Sequence, residues 1–217
     1  MRKSNIKNLK YTSLADYKPL NYSIPNIYLK IVIGEEEINI TSEMNVIMDN
    51  TATNKISLKG KDIKIDKIYL NKIELEENSF IKTEDELLIL NVINKNNTLI
   101  IHGSINSKDN TSLLGMYESN GIITTQCEAE GFRKICFHPD RPDILSKYLV
   151  RIEANKEKYP ILLSNGNLIS KSNLENERHE VIWEDPFPKP SYLFALVAGK
   201  LECIKDIYLT KSNRKIN

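Results

Sequence analysis

Hydrophobic residues recur at every second position over much of this chain, most plainly at Ile27, Leu29, Ile31 and Ile33, with Tyr28, Lys30 and Val32 between them. Strand side chains alternate between two faces, so such a run presents one apolar face; a helix would spread it around its circumference. Runs of the same kind extend from Ile38 to Met48, Ile63 to Leu70, Leu87 to Ile93, Thr98 to Ile105, Tyr148 to Ala154, His179 to Trp183 and Tyr192 to Ala198. Turn signals separate them: Asp49-Asn50, Lys59-Gly60, Asn94 to Asn97, Asn120-Gly121 and Ser164-Asn165-Gly166-Asn167. Short strands punctuated in this way predict an all-β sandwich of twisted sheets.

One short helical turn is expected at Pro142, since proline suits the first helical position and Asp143 complements the positive end of the helix dipole. The spacing of Pro186, Pro188 and Pro190 predicts an extended, rigid connector from Asp185 to Pro190. The ends are polar enough to fray. The expected organisation is a flexible arm over residues 1–16, a β domain over 17–209 with a last strand from Leu201 to Leu209, and a frayed tail over 210–217.

Charge narrows the partners. With 30 Lys+Arg against 29 Asp+Glu the formal net charge is +1, which gives no basic surplus for nucleic acid. No apolar run reaches the roughly 18 residues of a membrane helix, and the basic start MRKSNIKNLK is not followed by the apolar stretch of a signal peptide. A cytoplasmic protein with neither nucleic-acid nor membrane partners is expected. Cys127, Cys136 and Cys203 form no closely spaced pair, so they read as reduced, buried thiols. His102, His138 and His179 lie far apart, and no metal-binding spacing emerges among these residues.

The string His179-Glu180-Val181-Ile182-Trp183 begins like the zinc-peptidase motif HExxH but has Trp at the second ligand position. The surrounding alternation is that of a strand, where positions four apart are separated by about 13 Å and cannot share an ion. His179 is therefore read as an ordinary strand residue. No GxSxG elbow, phosphate loop or dinucleotide fingerprint occurs.

Chemistry concentrates in Thr124-Thr125-Gln126-Cys127-Glu128-Ala129-Glu130-Gly131-Phe132-Arg133. On a strand, Gln126, Glu128 and Glu130 would share one face while Cys127 and Ala129 turn to the other. Spacing alone leaves three readings open: a solvated polar face, a surface that binds a cation such as an ammonium, and a general acid/base pair.

With Gly115-x-Tyr117-x-Ser119, Thr125 to Arg133, Asp140-Arg141-Pro142-Asp143, Lys158 to Asn167, Leu174-Glu175-Asn176, Arg178-His179 and Trp183 to Gly199, the chain resembles the N-terminal domain of the M1 zinc aminopeptidases, bacterial aminopeptidase N branch. The dense part covers about Leu113 to Leu201, and the strand pattern extends it back to about Tyr17. The resemblance implies a twisted, saddle-like β domain that caps a zinc-bearing catalytic domain. It further implies that Glu128 helps bind the α-amine of a peptide N-terminus and that Gln126 lines the first side-chain pocket.

No catalytic residue is assigned here, because HExxH, the GAMEN loop and the downstream glutamate ligand do not occur in this sequence. Zinc is expected in a separate catalytic domain, acting in cis or in trans, with no cofactor in this chain. A face left bare by that domain should be apolar. Two alternatives stay open at this point: a free-standing β-sandwich interaction module, and a nonfunctional fragment of a decayed aminopeptidase gene.

Overall fold

The computed structural model describes residues 13–49 and 54–216, and the period-two runs fold into strands. In chain order these are β1 (Tyr22–Ile33), β2 (Ile38–Met48), β3 (Ile56–Lys59), β4 (Lys64–Leu70), β5 (Ile73–Glu74), β6 (Phe80–Lys82), β7 (Glu86–Ile89) and β8 (Asn96–Ile105). After them come β9 (Gly115–Ser119), β10 (Ile122–Gln126), β11 (Leu145–Asn155), β12 (Ile161–Ser164), β13 (Asn167–Asn173), β14 (Arg178–Pro190), β15 (Leu196–Gly199), β16 (Tyr208–Leu209) and β17 (Lys215–Ile216). The helical elements are 3-10 turns of three residues each, so the all-β expectation holds.

An eight-stranded sheet runs β13-β14-β11-β1-β2-β8-β4-β5. It is antiparallel except where β11 lies parallel to β1. A four-stranded sheet (β12-β15-β10-β9) and a three-stranded sheet (β3-β7-β6) accompany it. On β1 the buried phase runs Tyr22 and Ile24, then Ile27, Leu29, Ile31 and Ile33. The shift of one residue falls at a bulge between Ser23 and Asn26, where Pro25 supplies no N–H to the ladder. Each enclosed Ile or Leu contributes roughly 1.5–3 kcal/mol relative to exposure.

The buried side chains of all three sheets form one core. Tyr148 of β11, Phe132 and Phe194 meet edge-on or tilted, with centroids 5.2–6.1 Å apart. The indole N–H of Trp183 on β14 donates to the Leu162 carbonyl on β12 at 3.1 Å, tying the large sheet to the four-stranded one. His179 is a buried strand residue whose Nε2 lies 2.8 Å from the Tyr159 carbonyl.

Several local expectations are corrected. Asp185 to Pro190 is not a connector: it continues β14, pairing Asp185 with Tyr148, Lys189 with Ser146 and Pro190 with Leu145. The neighbouring β13 reaches only to Glu184, so beyond that residue one side of β14 is unpaired and proline is tolerated. Pro142 starts no helix. Ile144 N–H donates to the Arg141 carbonyl at 3.3 Å, closing a tight turn that feeds directly into β11. Asp143 serves Arg141 and the Tyr17 hydroxyl rather than a helix end.

The run from Tyr192 to Ala198 divides into a 3-10 turn, Ser191–Leu193, and β15. Of the segment from Leu201 to Leu209, only Tyr208–Leu209 is strand, and it pairs with Lys215–Ile216 inside the stretch expected to fray. Most of the expected N-terminal arm lies outside the described residues; Leu14–Asp16 is a 3-10 turn. Cys127 and Cys136 are buried free thiols as expected, but Cys203 is exposed.

Candidate functional site

β9 and β10 form a hairpin through Asn120 and Gly121, both at positive φ, 50° and 76°. A two-residue turn of that hand matches the twist of the flanking strands. The register sets Tyr117 opposite Thr124 and Gly115 opposite Gln126, while β15 and β12 add Val197 and Leu163 beside Thr124. Gln126 thus shares the sheet face of Thr124, Tyr117, Val197 and Leu163, which are half-buried or exposed. The face is partly apolar.

β10 ends at Gln126, which corrects the expectation that Gln126, Glu128 and Glu130 share a strand face. The Gly131 N–H donates to the Cys127 carbonyl at 2.8 Å and folds 127–131 into a turn. Cys127 is buried beneath it, while Glu128, Ala129 and Glu130 are all exposed, so Ala129 does not follow Cys127 inward. The Glu128-Ala129 peptide bond is cis.

The turn separates the two acids that spacing had grouped. Gln126 Nε2 donates to the Glu128 carbonyl at 3.2 Å, so these two candidate residues do come together. The Glu130 carboxylate instead pairs with the Arg133 guanidinium at 3.1 Å. Among the described residues, the Glu128 carboxylate is engaged in no hydrogen bond or ion pair. It stands exposed on an anchored turn.

The anchorage lies underneath. Gly131, at the end of the turn, is so tightly enclosed that a Cβ on it would stand 2.3 Å from the Gln126 carbonyl oxygen and 2.9 Å from the nitrogen of Gly115, at the start of β9. Arg133, just past the turn, donates from Nε to Asp140 Oδ2 at 2.8 Å, and the side chain of Asp140 is fully enclosed. Burial, with the Asp140 charge adding to it, pushes the Cys127 thiol up to about 12 and raises Cys136 in the same way. Both thiols are therefore protonated packing groups, and neither is a nucleophile at neutral pH.

Asp140 was visible in the sequence only as part of a family-like string. Nothing in the seven-residue separation from Arg133 signals that the two meet, because they are joined by an irregular loop.

The histidines offer no zinc site. His102 Nδ1 bonds Thr41 at 2.9 Å, His138 Nδ1 accepts the Asp140 N–H at 3.0 Å, and His179 bonds the Tyr159 carbonyl. Among the described residues no three His, Cys, Asp or Glu side chains converge as metal ligands, so the donor set here does not fit the zinc of the resembled family. No helix of the described residues is long and apolar enough to cross a membrane.

Comparison with known proteins agrees with the all-β fold. The profile of the peptidase M1 N-terminal domain matches residues 18–193. Aminopeptidase N of Escherichia coli (strain K12) is 39% identical over 201 residues, 93% of this chain and 23% of that protein. The crystal structure of Legionella pneumophila aminopeptidase A in complex with aspartic acid superposes with a TM-score of 0.89 at 38% identity, covering 94% of this chain and 24% of that one. An M1 zinc metallopeptidase of Deinococcus radiodurans shares the fold at a TM-score of 0.72 and 14% identity, over 90% of this chain and 46% of its own. The chain spans about a quarter of the length of the curated relatives it matches.

Proposed function

The chain belongs to the family of peptidase M1 N-terminal domains, and from that premise we propose that its 126–131 turn anchors the free α-amine of a peptide substrate at the mouth of a metalloaminopeptidase site. The observation that carries this reading is the Glu128 carboxylate, exposed and unpaired on a turn otherwise tied down by Gln126, Gly131 and Arg133. The α-amine has a reference pKa of about 7.7–8.0, so near neutral pH much of it is an ammonium. Glu128 can accept its N–H groups in charge-assisted bonds, and Gln126 stands beside it to line the first side-chain pocket. An anion at that point fixes where the peptide must begin, which is the register of an exopeptidase.

The bond-breaking chemistry is assigned to a separate catalytic domain, in cis or in trans, which would hold the zinc; the Deinococcus radiodurans relative is a zinc metallopeptidase. This chain would bind and orient. The exposed Ile204, Ile207, Tyr208, Leu209 and Ile216 around β16 and β17 support such a partner, since an apolar hairpin standing in water is a surface shaped for covering. The unpaired state of the three cysteines suits a reducing cytoplasm.

The test is an NMR titration of the chain with a tripeptide carrying a free N-terminus and with its N-acetylated counterpart. The free-amine peptide is expected to bind at roughly millimolar affinity, as suits a single solvent-exposed ion pair and its neighbours. It should shift the amides of 126–130, whereas the acetylated peptide should not, and Glu128→Gln should erase the difference. Equal binding of both peptides to the wild-type chain would reject the amine-anchor reading.

A further inference from the structure

We propose that Asp140 is the positioning residue for the amine anchor, holding the 126–131 turn from below; the inference rests on the reading of Glu128 just given. Asp140 is enclosed by protein, and both of its carboxylate oxygens are committed. Oδ2 accepts from the Arg133 backbone N–H at 3.2 Å and from its Nε at 2.8 Å, and Oδ1 accepts from the Ser191 hydroxyl at 2.7 Å. The Asp140 carbonyl takes a further guanidinium N–H at 3.4 Å, and its own N–H donates to His138 Nδ1. The residue sits at φ 50°, in the left-handed region that Asp tolerates better than most side chains.

Each donor leads back to the turn. Arg133 lies two residues past it and reaches back to Glu130 at 3.1 Å, so one guanidinium joins the buried carboxylate to the exposed one. Ser191 opens the segment that enters β15, where the Leu196 N–H donates to Thr125 Oγ1 at 2.9 Å, one residue before Gln126. The chain therefore runs from Thr125 through the turn to Arg133, across Asp140 to Ser191, and back through Leu196 to Thr125. A closed ring of this kind sets the direction of the Glu128 backbone before any peptide arrives, and ordering completed in advance is not subtracted from the affinity. A buried carboxylate must keep its donors, so the ring is held from its centre.

Asp140→Asn keeps the shape but loses the charge and turns an N–H₂ toward donors. In the 217-residue chain it is expected to weaken binding of the free-amine tripeptide by about tenfold after correction for folded fraction, and to speed hydrogen exchange of the 128–131 amides by a similar factor. Binding of the N-acetylated peptide and exchange in β1, β2 and β11 should stay as they are. A purely structural role would instead accelerate exchange throughout and leave the free-amine preference of the folded fraction intact, and that result would overturn the proposal.

Should Asp140→Asn fail to fold, Arg133→Lys replaces it. It keeps a cation beside Asp140 but cannot span to Glu130, and the same localised loss is expected. Unchanged preference and unchanged turn exchange in that variant would also overturn the proposal. If the wild-type chain shows no free-amine preference, the amine reading is what fails. Turn-restricted exchange then decides the positioning role by itself: acceleration confined to 128–131 supports it and its absence rejects it.

Discussion

Gly131 and Gly115 face each other backbone to backbone: a Cβ built on Gly131 would lie 2.9 Å from the Gly115 nitrogen, and one on Gly115 would lie 3.0 Å from the Gly131 carbonyl oxygen. The atoms that a Cβ on Gly131 would meet are main chain, which cannot swing aside as a flexible side chain could. The close approach lets the 127–131 turn sit against the start of β9.

Gly131→Ala should therefore destabilise the chain by roughly 2–3 kcal/mol, a cost of overpacking against backbone. Gly121→Ala is the matched control. Its φ is +76° but nothing lies within 4 Å of the added carbon, so only the left-handed conformation is charged, at about 1 kcal/mol. Urea denaturation of the two variants checks the order; equal losses would mean that the Gly131 contact is not as tight as described.

His138 should make stability depend on pH. Burial pushes its imidazole down to about 4 from an ordinary 6.5, with the nearby Asp140 charge opposing part of that shift. Between those values the unfolded chain binds a proton that the folded chain refuses, so stability is complete above about pH 6.5 and falls as pH drops toward 4. The difference amounts to roughly 3 kcal/mol. Urea midpoints across that range should show the slope, and His138→Gln should flatten it. A wild-type curve flat from pH 6.5 to 4 would show that the buried neutral imidazole is not governing this window.

The thiols should separate by exposure. Cys203 is accessible whereas Cys127 and Cys136 are enclosed, and burial holds the latter two in their protonated form. A disulfide-exchange reagent at neutral pH is expected to titrate one thiol in the native chain and three in denaturant. Rapid reaction of two or more native thiols would contradict the burial of the turn's underside.

The apolar hairpin should make the isolated chain self-associate. Ile207 and Leu209 are both more than half exposed, at 54% and 61%, and they adjoin unpaired strand edges. Replacing both with Ser should reduce association seen by sedimentation velocity without moving the urea midpoint, because neither side chain packs in the core. A drop in the midpoint would mean that the hairpin is part of the folding unit.

Much of the fold could be read from local pattern. The alternation in β1, β2, β8 and β11 names the inward residues, because period two leaves a strand no other way to bury its apolar set. The Asn120-Gly121 hairpin was marked by its own dipeptide. Pattern failed where the pairing partner is distant: Asp185 to Pro190 reads as a connector until β11 is laid beside it, and Pro142 reads as a helix start until Arg141 and Tyr17 claim Asp143.

The sequence by itself determined that strands would form and which of their faces would be apolar, and its family-like motifs singled out Gln126 and Glu128 as the residues to propose for a site. Tertiary structure decided how those residues are placed. It ended β10 at Gln126 and turned Glu130 aside to Arg133, leaving Glu128 as the unengaged carboxylate, and it put Asp140 under the turn. Those outcomes depend on contacts such as Arg133 with Asp140 and Asp140 with Ser191, fifty-one residues apart. No periodicity encodes them, because they arise only when separate sheets close on one core.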